Sequence, residues 1–361
     1  MQRRKVNLFL VPLALSLALG ACHESSQPLK PAPDIILKHA TSLHTSLAFY
    51  AGMRLDVFTV LDEHPMTTEE AAAALSTKLQ FSERLLYALA ACDLLEVKDG
   101  VFANTAEASR YLVRGKPDYM GEHVLVNPNL QQYMISGGLK TPESIRKGEA
   151  VEKYDYSKAG YETWLQVFRG TMPVAVKAGQ ALAAKFDFSR FRTVADVGGA
   201  SGGLAVGLLK AFPHLKATVT DLHSITPVSR TLLEEQGAAQ IKVEDWDVLT
   251  GPSPQTWDVV ILRALIQVLS PDQARQAMIN VGKSVNPGGG VFILGHIVDD
   301  SRTSPPEEVV WYLLNLNWED QAGFYAEKDY RRMLQDAGFR DIRRGVLVNG
   351  DGVISAVKAP A

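Results

Sequence analysis

Three aspartates in the second half of the chain fall at the ends of successive strand-like runs: Asp196 within Thr193–Val197, Asp221 after Ala217–Thr220, and Asp247 beyond Gln240–Val243. Between the first two lies a glycine-rich loop, Val194 to Gly203 (VADVGGASGG). Gly198, Gly199, Gly202 and Gly203 remove side chains where backbone and ligand must approach closely. The loop opens a helix, whose first turn offers unpaired N–H groups. Such a loop beyond a strand's carboxyl end is where an open α/β sheet holds a nucleotide-containing cofactor.

Two cofactor classes compete for it. The dinucleotide pattern G-x-G-x-x-G/A is met only in degraded form, as Gly198-x-Ala200-x-x-Gly203. Asp196 stands two residues before the first glycine, where a carboxylate would repel a pyrophosphate. An acid there suits a cofactor with a cationic amino-acid end and no phosphate, which describes S-adenosylmethionine (SAM). Asp221, with Leu222 beside it, suits the two ribose hydroxyls. Asp247 suits the adenine amino group and Val248 the ring face. Each aspartate alone reads equally as a helix cap or turn residue. The placement of all three on successive strand ends carries the cofactor reading.

These residues need a scaffold, and the pattern supplies one. From Thr193 onward, strand-like and helical runs alternate: Thr193–Val197, helix 203–212, Ala217–Thr220, helix 228–236, Gln240–Val243, Trp257–Leu262, helix 271–285, Val291–Leu294, helix 329–337, and a closing hairpin of Phe339–Val348 and Val353–Lys358. The seven strand-like runs predict a doubly wound, mostly parallel α/β sheet with an antiparallel strand at its edge.

Upstream, residues 34–120 read as helix, helix, helix and hairpin, the order of a winged helix. Between Met66 and Gly115 there are five Lys plus Arg against seven Asp plus Glu, so no basic surface exists for phosphate contact. With a net charge of -3 for the whole chain, nucleic acid is excluded as a partner and a packing or dimerisation module is expected. Residues 121–190 read as a helical linker rich in aromatics, including Tyr133, Tyr154, Tyr156, Tyr161, Trp164 and Phe168, which are placed as core or as a substrate wall. Residues 191–361 form the cofactor-binding domain.

The N-terminus carries a separate signal. Arg3, Arg4 and Lys5 precede the apolar run Val6–Leu19, which is short for a membrane span, and Leu19-Gly20-Ala21-Cys22 resembles a bacterial lipobox. Residues 1–22 are therefore expected to be a lipoprotein-type signal peptide with Cys22 as the lipidation site, and 23–33 a polar, Pro-rich tether. A membrane-anchored lipoprotein follows; the alternative, with the leader unused, is a cytoplasmic protein, where SAM is made. With only two cysteines, one of them in the leader, no disulfide framework is expected.

From about Asp34 to Ala361 the chain resembles the plant-type, or acetylserotonin-type, class I SAM-dependent O-methyltransferase family. The resemblance rests on VADVGGASGG, the Phe168–Met172 step, VILRALIQVLSPDQA, NPGGGVFIL and EKDYRRMLQDAGF. It implies a homodimer through the N-terminal domain and a small aromatic or polyketide-like hydroxyl as acceptor. It also implies cofactor contacts from Gly198, Asp221, Asp247, Val248 and Arg263, with Phe168 and Met172 near the methyl group and substrate.

One departure stands out. Where the family carries a His followed by Asp and Trp, this chain has Gln267, Val268 and Leu269, and the position of an orienting Glu falls near Gly295. A neutral amide is no general base. Methyl transfer is an in-line displacement, so alignment and desolvation can carry it without that His, and Gln267 is placed to hydrogen-bond the acceptor. His296 is the first alternative base and Asp320 the second. No His, Asp and Glu cluster has metal-ligand spacing, so no metal is expected. The runner-up reading keeps the fold and the cofactor but not the chemistry, as a membrane-tethered binding protein.

Overall fold

The computed structural model describes residues 33–121, 137–151, 159–317 and 319–360. The leader with Cys22, the tether up to residue 32, and Tyr133, Tyr154 and Tyr156 lie outside the described residues. Among the described residues, no helix is long and apolar enough to cross a membrane. The chain forms two compact units, one ending at Leu47 and the other running from Ala48 to Ala361.

Residues 34–47 of the helix Asp34–Arg54 belong to the first unit, and Leu37, Leu43 and Leu47 are exposed. In the second unit, helix Val57–Glu63 leads to a three-stranded sheet of β1 (Met66–Thr67), β2 (Leu95–Lys98) and β3 (Val101–Asn104), in the order β1-β3-β2. Helix Thr68–Ala74 starts at the expected place. The Thr67 hydroxyl accepts from the Glu70 N–H while the Glu70 carboxylate accepts from the Thr67 N–H, a reciprocal cap. Asp99 and Gly100, at φ +52° and +78°, turn β2 into β3 as a two-residue hairpin of this kind requires. Phe58, Leu86, Leu89 and Phe102 form the centre of this core.

The large sheet comprises β4 (Thr193–Val197), β5 (Lys216–Asp221), β6 (Lys242–Asp245), β7 (Trp257–Arg263), β8 (Val285–Gly295), β9 (Phe339–Val346) and β10 (Gly352–Lys358), in the order β6-β5-β4-β7-β8-β10-β9. β4 to β8 are parallel, and β10 runs antiparallel to both neighbours. Alternate residues face opposite cores. Ala195, Val197, Val260, Leu262 and Ile293 meet the helices Pro271–Lys283 and Glu327–Asp336. Val194, Val259, Ile261, Phe292 and Leu294 meet the helices Tyr161–Lys185 and Gly203–Ala211. The sheet is thus doubly wound, as expected.

Two details differ from the sequence reading. The antiparallel strand is not at the edge: β10 slots beside β8, and β9 takes the edge. Pairing the last strand with buried β8 gives its apolar Val353, Ile354 and Ala356 a place in the core, while Arg-rich β9 faces water. In addition, β8 begins at Val285, before the glycine turn. Trp257 pairs with Val285 and Val259 with Gly290, so Asn286–Gly289 bulge out of the strand instead of preceding it.

Candidate active site

The glycine loop is shaped by three positive-φ residues, Gly198 at +65°, Ala200 at +47° and Gly202 at +74°. The Gly198 and Gly199 N–H groups donate to the Thr220 carbonyl of β5 at 2.8 and 3.2 Å. The Ala200 N–H donates to Asp221 Oδ2 at 2.9 Å, and the Ser229 hydroxyl donates to the Ala200 carbonyl. These protein hydrogen bonds fix the shape of the loop.

The glycines divide their work. A Cβ on Gly199 would lie 2.8 Å from the Asp196 carboxyl carbon, so this glycine leaves room for that acid. A Cβ on Gly202 would meet Leu233 at 2.8 Å, and one on Gly203 would meet Met172 and Ala175 at 2.8 Å. Gly202 and Gly203, which are expected to admit a ligand, also let neighbouring helices close on the loop. The same closeness continues along the helix pair. Cβ atoms on Gly179 and Gly207 would come within 2.1 Å of the Leu204 and Val176 carbonyls.

Asp196 is 2% exposed and its Oδ2 has no hydrogen-bond partner. Burial raises its carboxyl to about 7, with Asp221 adding to the rise, while the Ala205 N–H and the Arg263 guanidinium pull the other way. A buried acceptor without a donor costs about 1–3 kcal/mol, and a cationic group would relieve it. Half-buried Asp221 accepts the N–H groups of Ala200 and Leu222, one on each oxygen, leaving each oxygen a further lone pair for a hydroxyl. Burial also raises its carboxyl. The side chain of Leu222 is exposed beside it.

Beyond β6, Asp247 Oδ1 accepts the Leu249 N–H at 2.9 Å, and Val248 is buried. The Val248 carbonyl accepts from Asn280 Nδ2 at 2.7 Å. Asn280 escaped the sequence reading, although a polar residue among the buried Ala274, Ala277, Met278 and Val281 of its helix was a usable signal. Arg263 ends β7 within electrostatic reach of Asp196. The residue set thus fits SAM: an acid for the ammonium, a glycine loop whose Gly198, Gly199 and Ala200 amides are already engaged, an acid for the ribose, and an acid and a valine for adenine.

The acceptor side lies at the next strand ends. Gln267 sits in the tight turn Ile266–Val268 after β7, 1% exposed, and its Nε2 has no partner. Gly295 ends β8 at φ +131°, and a Cβ there would come 2.7 Å from Gln267 Nε2. The two departures from the family pattern therefore occur together: the amide of Gln267 lies against the position where a side chain at 295 would start. His296 follows, its Nδ1 against the Glu308 carboxylate and its ring stacked on Trp311 at 3.8 Å.

Other site residues are placed by their packing. Met172 is buried with its sulfur toward Gly203. Phe168 stacks on Trp164 at 5.2 Å and packs with Leu165, Val228 and Leu232, beside the helix that follows Asp221. Asp320 Oδ2 accepts the Ala150 N–H at 3.1 Å, and Asn317 bridges Thr141 and Ser144, which ties the segment 141–150 to this region. The helix Pro306–Asn315 was not anticipated, although Pro305-Pro306 followed by Glu307-Glu308 is a helix-start signal.

A mostly parallel sheet with this strand order, and residues at its switch point that fit a phosphate-free nucleoside, define a class I SAM-dependent methyltransferase. The sequence profile of the O-methyltransferase domain matches residues 146–340, and that of the O-methyltransferase dimerisation domain matches 37–114. The chain belongs to the O-methyltransferase family and is a SAM-dependent O-methyltransferase carrying that family's dimerisation domain.

Among its relatives, the 3-hydroxy-5-methyl-1-naphthoate 3-O-methyltransferase of Streptomyces sahachiroi is 28% identical, covering 92% of this chain and 97% of that one. The N,N-dimethyltransferase OxyT of Streptomyces rimosus is 27% identical over 92% and 99%. Human N-acetylserotonin methyltransferase, solved in complex with SAM, superposes with a TM-score of 0.78 at 22% identity, covering 92% of this chain and 99% of that one.

Proposed function

We propose that this chain transfers the methyl group of SAM to a hydroxyl of a small aromatic or polyketide-type acceptor, working as a homodimer and without a histidine at position 267. The observation that carries this reading is a pair of buried, unpartnered polar atoms at the carboxyl ends of adjacent strands β4 and β7: Asp196 Oδ2, an acceptor, and Gln267 Nε2, a donor. The first suits the cofactor's ammonium and the second an oxygen of the acceptor. The naphthoate hydroxyl methylated by the Streptomyces sahachiroi relative supports the acceptor class. The exposed Leu37, Leu43 and Leu47, within the residues matched by the dimerisation profile, support the homodimer.

Bound SAM supplies an electrophilic methyl group on a sulfonium. Asp196, Asp221, Asp247 and Val248 fix its orientation, and Gln267 donates to the acceptor oxygen. Buried surroundings exclude water, and positioning of this kind contributes up to about 7–11 kcal/mol in favourable cases. Calorimetry should show binding of S-adenosylhomocysteine and none of NADH, and a panel of phenols and hydroxynaphthoates should include methylated members. Intact binding with no turnover across the panel would move the chain to the non-methylating reading; binding of NADH alone would remove the cofactor assignment.

We also propose that Cys22 is lipidated and anchors the mature chain to a membrane, on the support of the charged, apolar and Leu-Gly-Ala-Cys order of the leader. A fatty-acid probe should label the full chain and not Cys22→Ala. No labelling would favour the cytoplasmic alternative, and equal labelling would remove Cys22 as the lipidated residue.

A further inference from the structure

We propose that a cleft beside the helix Pro271–Lys283 is a second ligand site, which takes a flat ring bearing a carboxylate. Its residues are separate from those assigned to the cofactor and the acceptor, and it does not depend on which acceptor is methylated.

Three elements enclose the cleft: the first turns of the helix Pro271–Lys283, the loop that carries Arg302, and the stretch from Gly323 into the helix Glu327–Asp336. Its volume is about 250 Å³. Sites for drug-sized ligands run from about 300 to 1,000 Å³, so this one admits a one- or two-ring molecule and no nucleotide.

The charge of the lining is one-sided. Arg275, Arg302 and Arg332 face a single carboxylate, Asp329. Asp329 Oδ2 is already shared between the Ala326 N–H at 2.9 Å and Arg302 Nη2 at 3.1 Å. Arg275 meets Asp272 at 3.7 Å, and the Asp272 side chain is 97% exposed, so water screens that pair. Arg332 is exposed, and no ion pair holds it among the described residues. Tyr325 adds no negative charge. Burial pushes its phenol up to about 12, and its O–H is donated to the Leu269 carbonyl at 2.8 Å. Two guanidinium groups are thus weakly held or unheld, and their forks match a carboxylate in shape as well as charge.

The backbone adds to this. Pro271 is the first residue of a 13-residue helix, so the positive end of that helix dipole lies at the cleft. Arg302 sits at φ +60°, a left-handed conformation that disfavours long side chains. The fold nevertheless keeps an arginine there and fixes it twice, by Asp329 and by the Phe324 ring at 5.3 Å. Backbone held in this way clusters at ligand clamps.

The rest of the lining is apolar. Phe324 keeps 38% of its surface exposed, and buried Met333 and Tyr325 also line the cleft. A planar ring here meets ring faces and a thioether, contacts that suit an aromatic. A bare anion would leave the apolar lining in water, and a neutral ring would leave the guanidinium groups unpaired. The wall is also braced. The Gly323 N–H and the Tyr325 O–H both donate to the Leu269 carbonyl, at 2.9 and 2.8 Å. A braced wall loses little freedom when a ligand binds.

The test uses the full chain and 1-naphthoate, with 1-naphthamide as a neutral ring of the same shape. A ligand of this size that is ordinarily well matched binds with a dissociation constant of about 1 mM or below. Methyl 13C spectra of the methionines, with Met333 assigned by its loss in Met333→Leu, should show the Met333 signal shifting as 1-naphthoate is added. The amide should bind about 10-fold more weakly or worse. Arg275→Gln and Arg332→Gln should each weaken the response about 5- to 10-fold, and the double variant should abolish it. Both side chains are exposed, so the variants should keep the wild-type urea unfolding and the wild-type affinity for S-adenosylhomocysteine. No Met333 shift up to about 10 mM 1-naphthoate would overturn the proposal. So would an equal response to the amide or to inorganic phosphate, or an undiminished response in the double variant. A shift confined to Met172, assigned in the same way, would place the ring at the acceptor side and overturn it equally.

Discussion

Asp196→Asn separates what the buried carboxylate costs from what it binds. Burial raises the Asp196 carboxyl from 3.8 to about 7 in the chain without a cation bound. The cofactor's ammonium pairs only with the ionised form, so binding must displace a proton below that value. From pH 7.5 down to pH 5 the ionised fraction falls from most of the molecules to about one in a hundred. Affinity for S-adenosylhomocysteine should therefore fall on the order of 50- to 100-fold over that window, or about 2.5 kcal/mol. Near pH 6, binding should release close to one proton, visible as a buffer-dependent heat in calorimetry. In Asp196→Asn the affinity should be lower at pH 7.5 and should lose most of its dependence on pH.

The sign for the fold follows from the same shift. A raised acid holds its proton more tightly folded than unfolded, so its contribution to stability is fully present below about 4 and is lost as pH rises towards 7. The Asn variant, with no such group, should lose less stability between pH 4 and 7 than the wild type. A wild-type affinity that does not change between pH 5 and 7.5, or an Asn variant that keeps the wild-type slope, would refute the assignment of the ammonium to Asp196. Burial raises Asp221 as well, so the comparison with the Asn variant isolates the Asp196 share.

Two further outcomes follow from the packing. Gly207→Ala would force a methyl group to within 2.1 Å of the Val176 carbonyl and should cost about 1–3 kcal/mol, read as a lowered unfolding temperature. Asn280→Ala should leave the buried Val248 carbonyl without its donor, at a cost of about 1–3 kcal/mol in urea unfolding, and should weaken S-adenosylhomocysteine binding through the displaced Val248. Unchanged affinity in Asn280→Ala would show that Val248 does not meet the adenine.

Local pattern carried much of this. The reciprocal cap at Thr67 and Glu70, the Asp-Gly hairpin, the bounds of β4 and the alternation of strands and helices are all set by neighbours in the chain. So is the succession of Asp196, Asp221 and Asp247 along consecutive strand ends, because a parallel sheet repeats one strand–helix unit and brings each strand's carboxyl end to the same side. The division of the glycines was not local. Whether Gly202 faces a ligand or Leu233 depends on where another helix crosses the loop.

The same limit explains the acceptor side. The types of Gln267, Gly295 and His296 are plain in the sequence, and so is the missing histidine. That Gln267 lies on Gly295 follows only from β7 pairing with β8 in one register. That Glu308 meets His296 Nδ1 follows only from a helix folding back over the end of β8. The scaffold and the class of cofactor were legible from the residues alone, since periodicity and turn chemistry are short-range. Which buried polar atoms lack partners, and that His296 meets a carboxylate, were set by contacts between elements that share no local pattern.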